Sequence, residues 1–165
     1  MKIKNLETNY RKKCFTITLG KKVYSLPFAK LETPPSVKNR VTDYFIEKDG
    51  RAVVYTLESG DEDGVHLDYF LDYNKDPDYL LEMLTYNLSI AAQEAVKKSK
   101  LSKREIARKL HTSPTALLRL LDQNNYNKTI NQMIKLFLVL NFSVEIKDSD
   151  VEYKAKIDQR SPRGS

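Results

Sequence analysis

Lys103–Asp122, KREIARKLHTSPTALLRLLD, reads as two short amphipathic helices joined by a tight turn, the second opening on Ser113-Pro114. Projected at about 100° per residue, Ile106, Ala107 and Leu110 of the first helix fall in one apolar arc, and Arg104, Glu105, Arg108 and Lys109 fall opposite. In the second helix Leu117, Leu120 and Leu121 form the buried stripe, while Thr115, Arg119 and Asp122 project to the other side. Leu118 lies at the edge of that stripe, placed for the core or for contact with a ligand. Ala107 stands where the two helices must cross closely. This spacing predicts a helix-turn-helix, the device that lays its second helix in the major groove of double-stranded DNA.

The charge agrees. From Lys97 to Arg119 there are eight cations against one acid, Glu105. Such a surface attracts phosphate where the cations share a face. Thr115 and Arg119, with Leu118 beside them, are the candidates to reach base edges; arginine is the usual bidentate partner of guanine, and a threonine methyl packs on that of thymine. Lys103, Arg104, Arg108, Ser113, Asn125 and Lys128 are the candidates for phosphate contact. Two other readings stay open. Capped amphipathic helix pairs also build bundles that touch no nucleic acid, and the polar run Asn124–Lys128 reads equally well as a plain loop.

Working outward, Ser102 and Glu105 form a capping box for the first helix, Ser113 caps the second, and Thr129 with Gln132 starts a further helix running to Leu140. Upstream, Asp76 is placed as an N-cap with Pro77 at the first helical position, and Leu80, Leu84, Leu88, Ala91, Ala92, Ala95 and Val96 recur at helical steps. The stretch Asp78–Leu140 therefore gives a five-helix-like context. Phe142–Ile146 alternates like a strand, and pairing across a dimer is expected for it. The tail 148–165 is polar and expected to be disordered, its closing Pro-Arg-Gly-Ser reading as a cloning remnant.

Before Asp76 the period is two. Cys14–Leu19 and Val23–Phe28 flank Gly20-Lys21-Lys22, and Val41–Ile46 and Ala52–Leu57 flank a turn with Asp49-Gly50. Val65–Tyr69 is expected as a further strand after the acidic turn Ser59–Gly64, and Pro34-Pro35 makes Leu26–Arg40 an irregular or short helical crossover. The expected fold class is α+β: a small, mostly antiparallel N-terminal α+β domain over 1–76, then an all-α helix-turn-helix domain over 77–147. Residues 1–76 carry 13 Lys/Arg and 12 Asp/Glu, and 77–165 carry 15 and 10, so most of the basicity lies in the second domain. Tyr10, Phe15, Tyr24, Phe28, Tyr44, Phe45, Tyr55, Tyr69, Phe70 and Tyr73 make the first aromatic-rich; most should be core, with some tyrosines free to face a partner.

With 41% hydrophobic and 30% charged residues, the composition suits a soluble protein. No signal peptide or membrane span is expected, and the single Cys14 fits a reducing cytoplasm. No catalytic constellation, cofactor or metal site is expected. His66 and His111 fall in different domains, Asp61–Gly64 departs from the EF-hand order, and there is no Gly-rich phosphate loop.

Residues 102–146 resemble the lambda-repressor-like (Cro/repressor, XRE-type) DNA-binding domain, with Ala107 at its helix-crossing alanine and Ser113–Arg119 at its recognition helix. His111 departs from that pattern, standing in the turn where the family usually has glycine; a positive φ there strains a histidine. The segments YSLPFAKLETPP, VYTLESG, VHLDYFLDYNKDPDYL, LSKREIARKLHTSPTALLRLLDQNNYNKT and LNFSVEI extend the likeness to about Val151. Together they are similar to an uncharacterised bacterial family joining an N-terminal domain of unknown function to a repressor-like helix-turn-helix. The resemblance implies a homodimeric, cytoplasmic, DNA-binding regulator. It also implies an antitoxin-like role, because free-standing relatives of the N-terminal domain are often encoded beside small toxin-like proteins. The alternative is a protein-interaction module, a toxin neutraliser or adaptor, whose helix pair no longer binds DNA.

Overall fold

The structure is a computed structural model that describes residues 1–146 and the strand Ile157–Gln159. Its architecture is α+β, with two small antiparallel sheets in the first half of the chain. It separates into two compact units, Met1–Leu80 and Leu81–Ser165.

In the first unit β1 (Asn5–Asn9), β2 (Cys14–Leu19) and β3 (Lys22–Pro27) form one antiparallel meander. A second joins β4 (Val41–Ile46), β5 (Ala52–Leu57) and β6 (Glu62–His66). The two-residue loop Gly20-Lys21 opens with Gly20 at φ 60°, which suits a type II′ turn and matches the strands' twist. Alternation does the packing: Phe15, Ile17 and Leu19, Tyr24 and Leu26, and Val53, Tyr55 and Leu57 all turn into one core. Phe15 sits at its centre, 5.2 Å from the ring of Phe28 and 5.0 Å from that of Tyr55. Each such side chain contributes about 1.5–3 kcal/mol by leaving water. The crossover after β3 is a single 3₁₀ turn, Phe28–Lys30, followed by irregular chain through Pro34-Pro35.

One expectation in this unit needs correction. The strand placed at Val65–Tyr69 ends at His66, and α1 (Leu67–Tyr73) begins at the next residue. Leu67, Phe70 and Leu71 are buried at helical spacing, and the His66 ring accepts the Asp68 N–H at 3.3 Å as an N-cap. Over so short a segment alternation and helical spacing coincide, and burial of Phe70 settles the choice. The strand β1 is an addition to those expected; it carries no clear strand signal, because Leu6 is its one buried residue. Within the acidic turn, Asp63 belongs to β6 and accepts the Thr33 N–H (3.1 Å), with Tyr55 Oη 2.9 Å away. Burial first, then that carboxylate, pushes the Tyr55 hydroxyl well above its usual range.

Helix α2 (Pro77–Lys98) crosses the division between the units. Asp76, 6% exposed, starts it: Oδ1 accepts the Tyr79 N–H at 3.1 Å, and Oδ2 accepts Tyr24 Oη at 2.6 Å and Lys22 Nζ at 3.1 Å. The predicted N-cap is thus also the anion of a buried polar cluster.

The second unit continues with α3 (Lys103–Lys109), α4 (Pro114–Leu121) and α5 (Ile130–Val139), giving four helices from α2 onward among the described residues, where the sequence suggested a five-helix-like context. Asn141, at φ 66°, ends α5 and turns the chain into β7 (Phe142–Val144), which pairs with β8 (Ile157–Gln159). Phe142–Val144 thus pairs within the chain along one edge, and Phe142 packs 6.0 Å from Phe137. β8 interrupts the tail expected to be disordered; 147–156 and 160–165 lie outside the described residues. Ala92, Ala95 and Val96 of α2 meet Ile106, Ala107, Leu117, Leu120, Met133, Leu136 and Phe137 in the second core.

Candidate nucleic-acid interface

The helix pair α3–α4 is held by the caps its sequence announces. Ser102 Oγ accepts the Glu105 N–H at 3.2 Å, and the Glu105 carboxylate accepts the Ser102 N–H at 2.7 Å. The bonds to Ser102 hold Glu105's carboxyl below its ordinary value. The one acid of the basic stretch is thus committed to a helix end. Ile106 and Ala107 are buried, as the crossing requires.

The turn contains His111 at φ 52°. Its N–H donates to Arg108 O (3.0 Å) and that of Thr112 to Ala107 O (2.9 Å), the paired bonds of a Schellman motif with His111 in the left-handed position. The turn therefore closes normally, and the strain anticipated from the missing glycine resides in one backbone angle. Replacing His111 by glycine should raise stability by about 1 kcal/mol, read from the urea midpoint, because the left-handed conformation penalises a Cβ. A drop in the midpoint would show instead that the imidazole makes a compensating contact.

Helix α4 turns Leu117, Leu120 and Leu121 inward and leaves Thr115, Leu118 and Arg119 exposed, Leu118 at 52%. The open choice for Leu118 resolves toward the surface, where it flanks the other two. Ser113 Oγ accepts the Ala116 N–H at 3.0 Å and keeps its hydroxyl proton free to donate. Lys103, Arg104 and Arg108 are exposed on α3, as expected.

Asn125 and Lys128 are placed differently from the phosphate role assigned to them. Asn125 Nδ2 donates to Arg119 O at 2.9 Å, while its Oδ1 accepts the Asn127 N–H at 3.1 Å. Lys128 is 9% exposed, and its Nζ donates to Leu120 O (3.3 Å) and to Asp122 O. Burial pushes its ammonium below the usual lysine range, against the pull of Asp122. From α2, Gln93 Nε2 adds a 2.7 Å bond to Leu121 O, and Leu118 O receives the Asp122 N–H at 3.1 Å. All four terminal carbonyls of α4 are therefore satisfied, three of them by side chains. Sequence reasoning missed Gln93 altogether. The available signal was the lack of glycine or asparagine directly after α4, which leaves its carbonyls to be met from elsewhere.

No family model, curated protein or solved structure matches the chain.

The chemistry of the interface follows from its own residues. Among the described residues, no ion pair engages Lys100, Lys103, Arg104, Arg108, Lys109 or Arg119, so these cations remain available to an anion. A polar groove of about 620 Å³ runs beside the last turn of α4, lined by Arg119, Asn124, Asn127 and Gln132 among others. Because Lys128 is a clamp, Lys128→Ala should cost about 2 kcal/mol through orphaned carbonyls and leave the salt dependence of any DNA binding unchanged. A phosphate ligand would behave oppositely, lowering the salt slope by about one.

Proposed function

We propose that the chain is a sequence-specific DNA-binding transcriptional regulator in which α3 and α4 act as a lambda-repressor-like helix-turn-helix. Helix α4 enters the major groove, Thr115, Leu118 and Arg119 meet base edges, and Lys103, Arg104, Arg108 and Ser113 hold phosphates. The observation carrying this reading is the two-sidedness of α4. Its inner face is locked by three leucines and its end by Gln93, Asn125 and Lys128, while its outer face presents three exposed side chains suited to base contact. A reading helix must be rigid before it meets DNA, because ordering it on binding subtracts from affinity.

The reading includes a homodimer, since one short helix covers few base pairs and two half-sites multiply specificity. It requires neither catalytic residue nor cofactor, and it places the protein in the cytoplasm. Among the described residues no helix is long and apolar enough to cross a membrane. An antitoxin-like regulator, with the first unit binding a protein, follows from the sequence resemblance. A non-DNA-binding interaction module is the second reading, favoured by Tyr44, Phe45, Tyr69 and Tyr73, which are 38–57% exposed on the first unit.

Titration of the DNA upstream of the protein's own gene against a scrambled duplex, over a range of salt, separates the two. Tighter, salt-dependent binding to the native fragment supports the regulator. Equal or no binding to both, with an aromatic-dependent protein partner recovered, supports the module.

A further inference from the structure

The near-neutral total of the first unit conceals a segregation of charge. Residues 1–40, which carry β1 to β3, hold ten Lys/Arg against two Asp/Glu, whereas 41–76, which carry β4 to β6 and α1, hold three against ten. Strand register then gathers part of the basic half at one end of the first sheet. Pairing of Asn9 with Cys14 makes Tyr10–Lys13 the β1–β2 connection, and pairing of Cys14 with Pro27 brings Phe28–Lys30 to the same end. There the Phe28 N–H donates to Lys13 O at 2.8 Å. The Val41 N–H donates to Tyr10 Oη, and the Arg40 guanidinium lies 4.7 Å from the centre of the Tyr10 ring.

Arg11, Lys12, Lys13, Lys30 and Arg40 thus share one end of the sheet, all exposed, and none is engaged in an ion pair among the described residues. Glu58 is also at this end, its carboxylate accepting the Arg40 backbone N–H at 3.1 Å. Crowded like charges destabilise the free protein, and a polyanion relieves that repulsion. Stacking on Tyr10 restrains the Arg40 fork, which favours bidentate contact with a phosphate.

We propose that this end of the first sheet is a second nucleic-acid backbone site, taking the phosphodiester groups of duplex DNA. The inference rests on the DNA reading of α4, because a phosphate polymer is the anion for which the second unit also presents exposed cations. It carries no base specificity: lysines and arginines on a turn meet phosphates, not a pattern of base edges.

The test is Arg11→Ser/Lys12→Ser/Lys13→Asn, compared with the parent and with Thr115→Ala/Arg119→Ala in duplex titrations over salt. The turn tolerates the changes: Lys13 has φ 52°, which asparagine adopts readily, and the Lys12 bond to Asn9 uses its backbone N–H. Loss of about two to three units of salt slope is expected, with native and scrambled duplexes weakened equally, by tenfold or more. A slope and affinities equal to the parent's overturn the proposal and leave the α4 reading standing. An unchanged preference in the Thr115/Arg119 variant removes the α4 reading while the slope loss still stands. Binding to polyglutamate that the triple variant abolishes, with duplex binding intact, reassigns the surface to an acidic protein and overturns the proposal. A parent that binds no duplex at all overturns both.

Discussion

Thr115→Ala/Arg119→Ala is expected to lower the preference for the operator over scrambled DNA by about 100-fold or more, while the salt slope changes little. A well-placed bidentate base contact discriminates by about 1–3 kcal/mol, and each 1.4 kcal/mol is a factor of ten. Both side chains are exposed on α4, so thermal stability should stay within about 0.5 kcal/mol of the parent. The pattern matters more than the size. Loss of preference with intact stability and slope isolates base reading; a parallel loss on every duplex would assign these residues to the backbone instead.

The second large effect belongs to Asp76. Burial opposes its ionisation, but the bonds from Tyr24, the Tyr79 N–H and Lys22 outweigh that and hold its carboxyl at about 2, below an ordinary 3.8. Lys22 is half exposed, so its share is small, and the buried Tyr24 hydroxyl at 2.6 Å with the Tyr79 amide carries most of the effect. A folded-state value below the unfolded one stabilises the protein above pH 4, and the contribution, about 2 kcal/mol, disappears as pH falls from 4 to 2. Asp76→Asn should remove this acid sensitivity while keeping a competent N-cap. Asp76→Ala should cost about 3 kcal/mol, since it also deletes the cap and orphans the Tyr24 hydroxyl. Urea midpoints at pH 3 and pH 7 check both; an Asp76→Asn midpoint that falls between those pH values as steeply as the parent's would contradict the assignment.

The parts of the fold legible in sequence are those written locally. Ser102, Ser113 and Thr129 each cap the helix they were expected to cap, because a side-chain N-cap reaches only three residues along the chain and needs no distant partner. The Asp49-Gly50 and Gly20-Lys21 hairpins are local in the same sense. What escaped depends on contacts distant in sequence. Leu67–Tyr73 is helical because Phe70 reaches a core assembled from five strands, and β1 exists because β2 offers it an edge. At the candidate interface, composition marked Asn125 and Lys128 as donors but could not tell where they donate. Only the fold shows them turned onto the carbonyls of α4, with Gln93 beside them. The outer face of α4 was readable for the converse reason: exposure follows from helical period once the buried leucines are known.

The central claim is that α4 reads sequence in duplex DNA. Selection of binding sites by the protein from a pool of random duplexes tests it with no operator presumed. Enrichment of a discrete motif is predicted, with half-sites about one helical turn apart if the dimer forms, and with its enrichment lost in Thr115→Ala/Arg119→Ala. A pool that stays random after repeated rounds, while the folded protein still retains DNA at low salt, would contradict the claim and leave only a basic, sequence-blind surface.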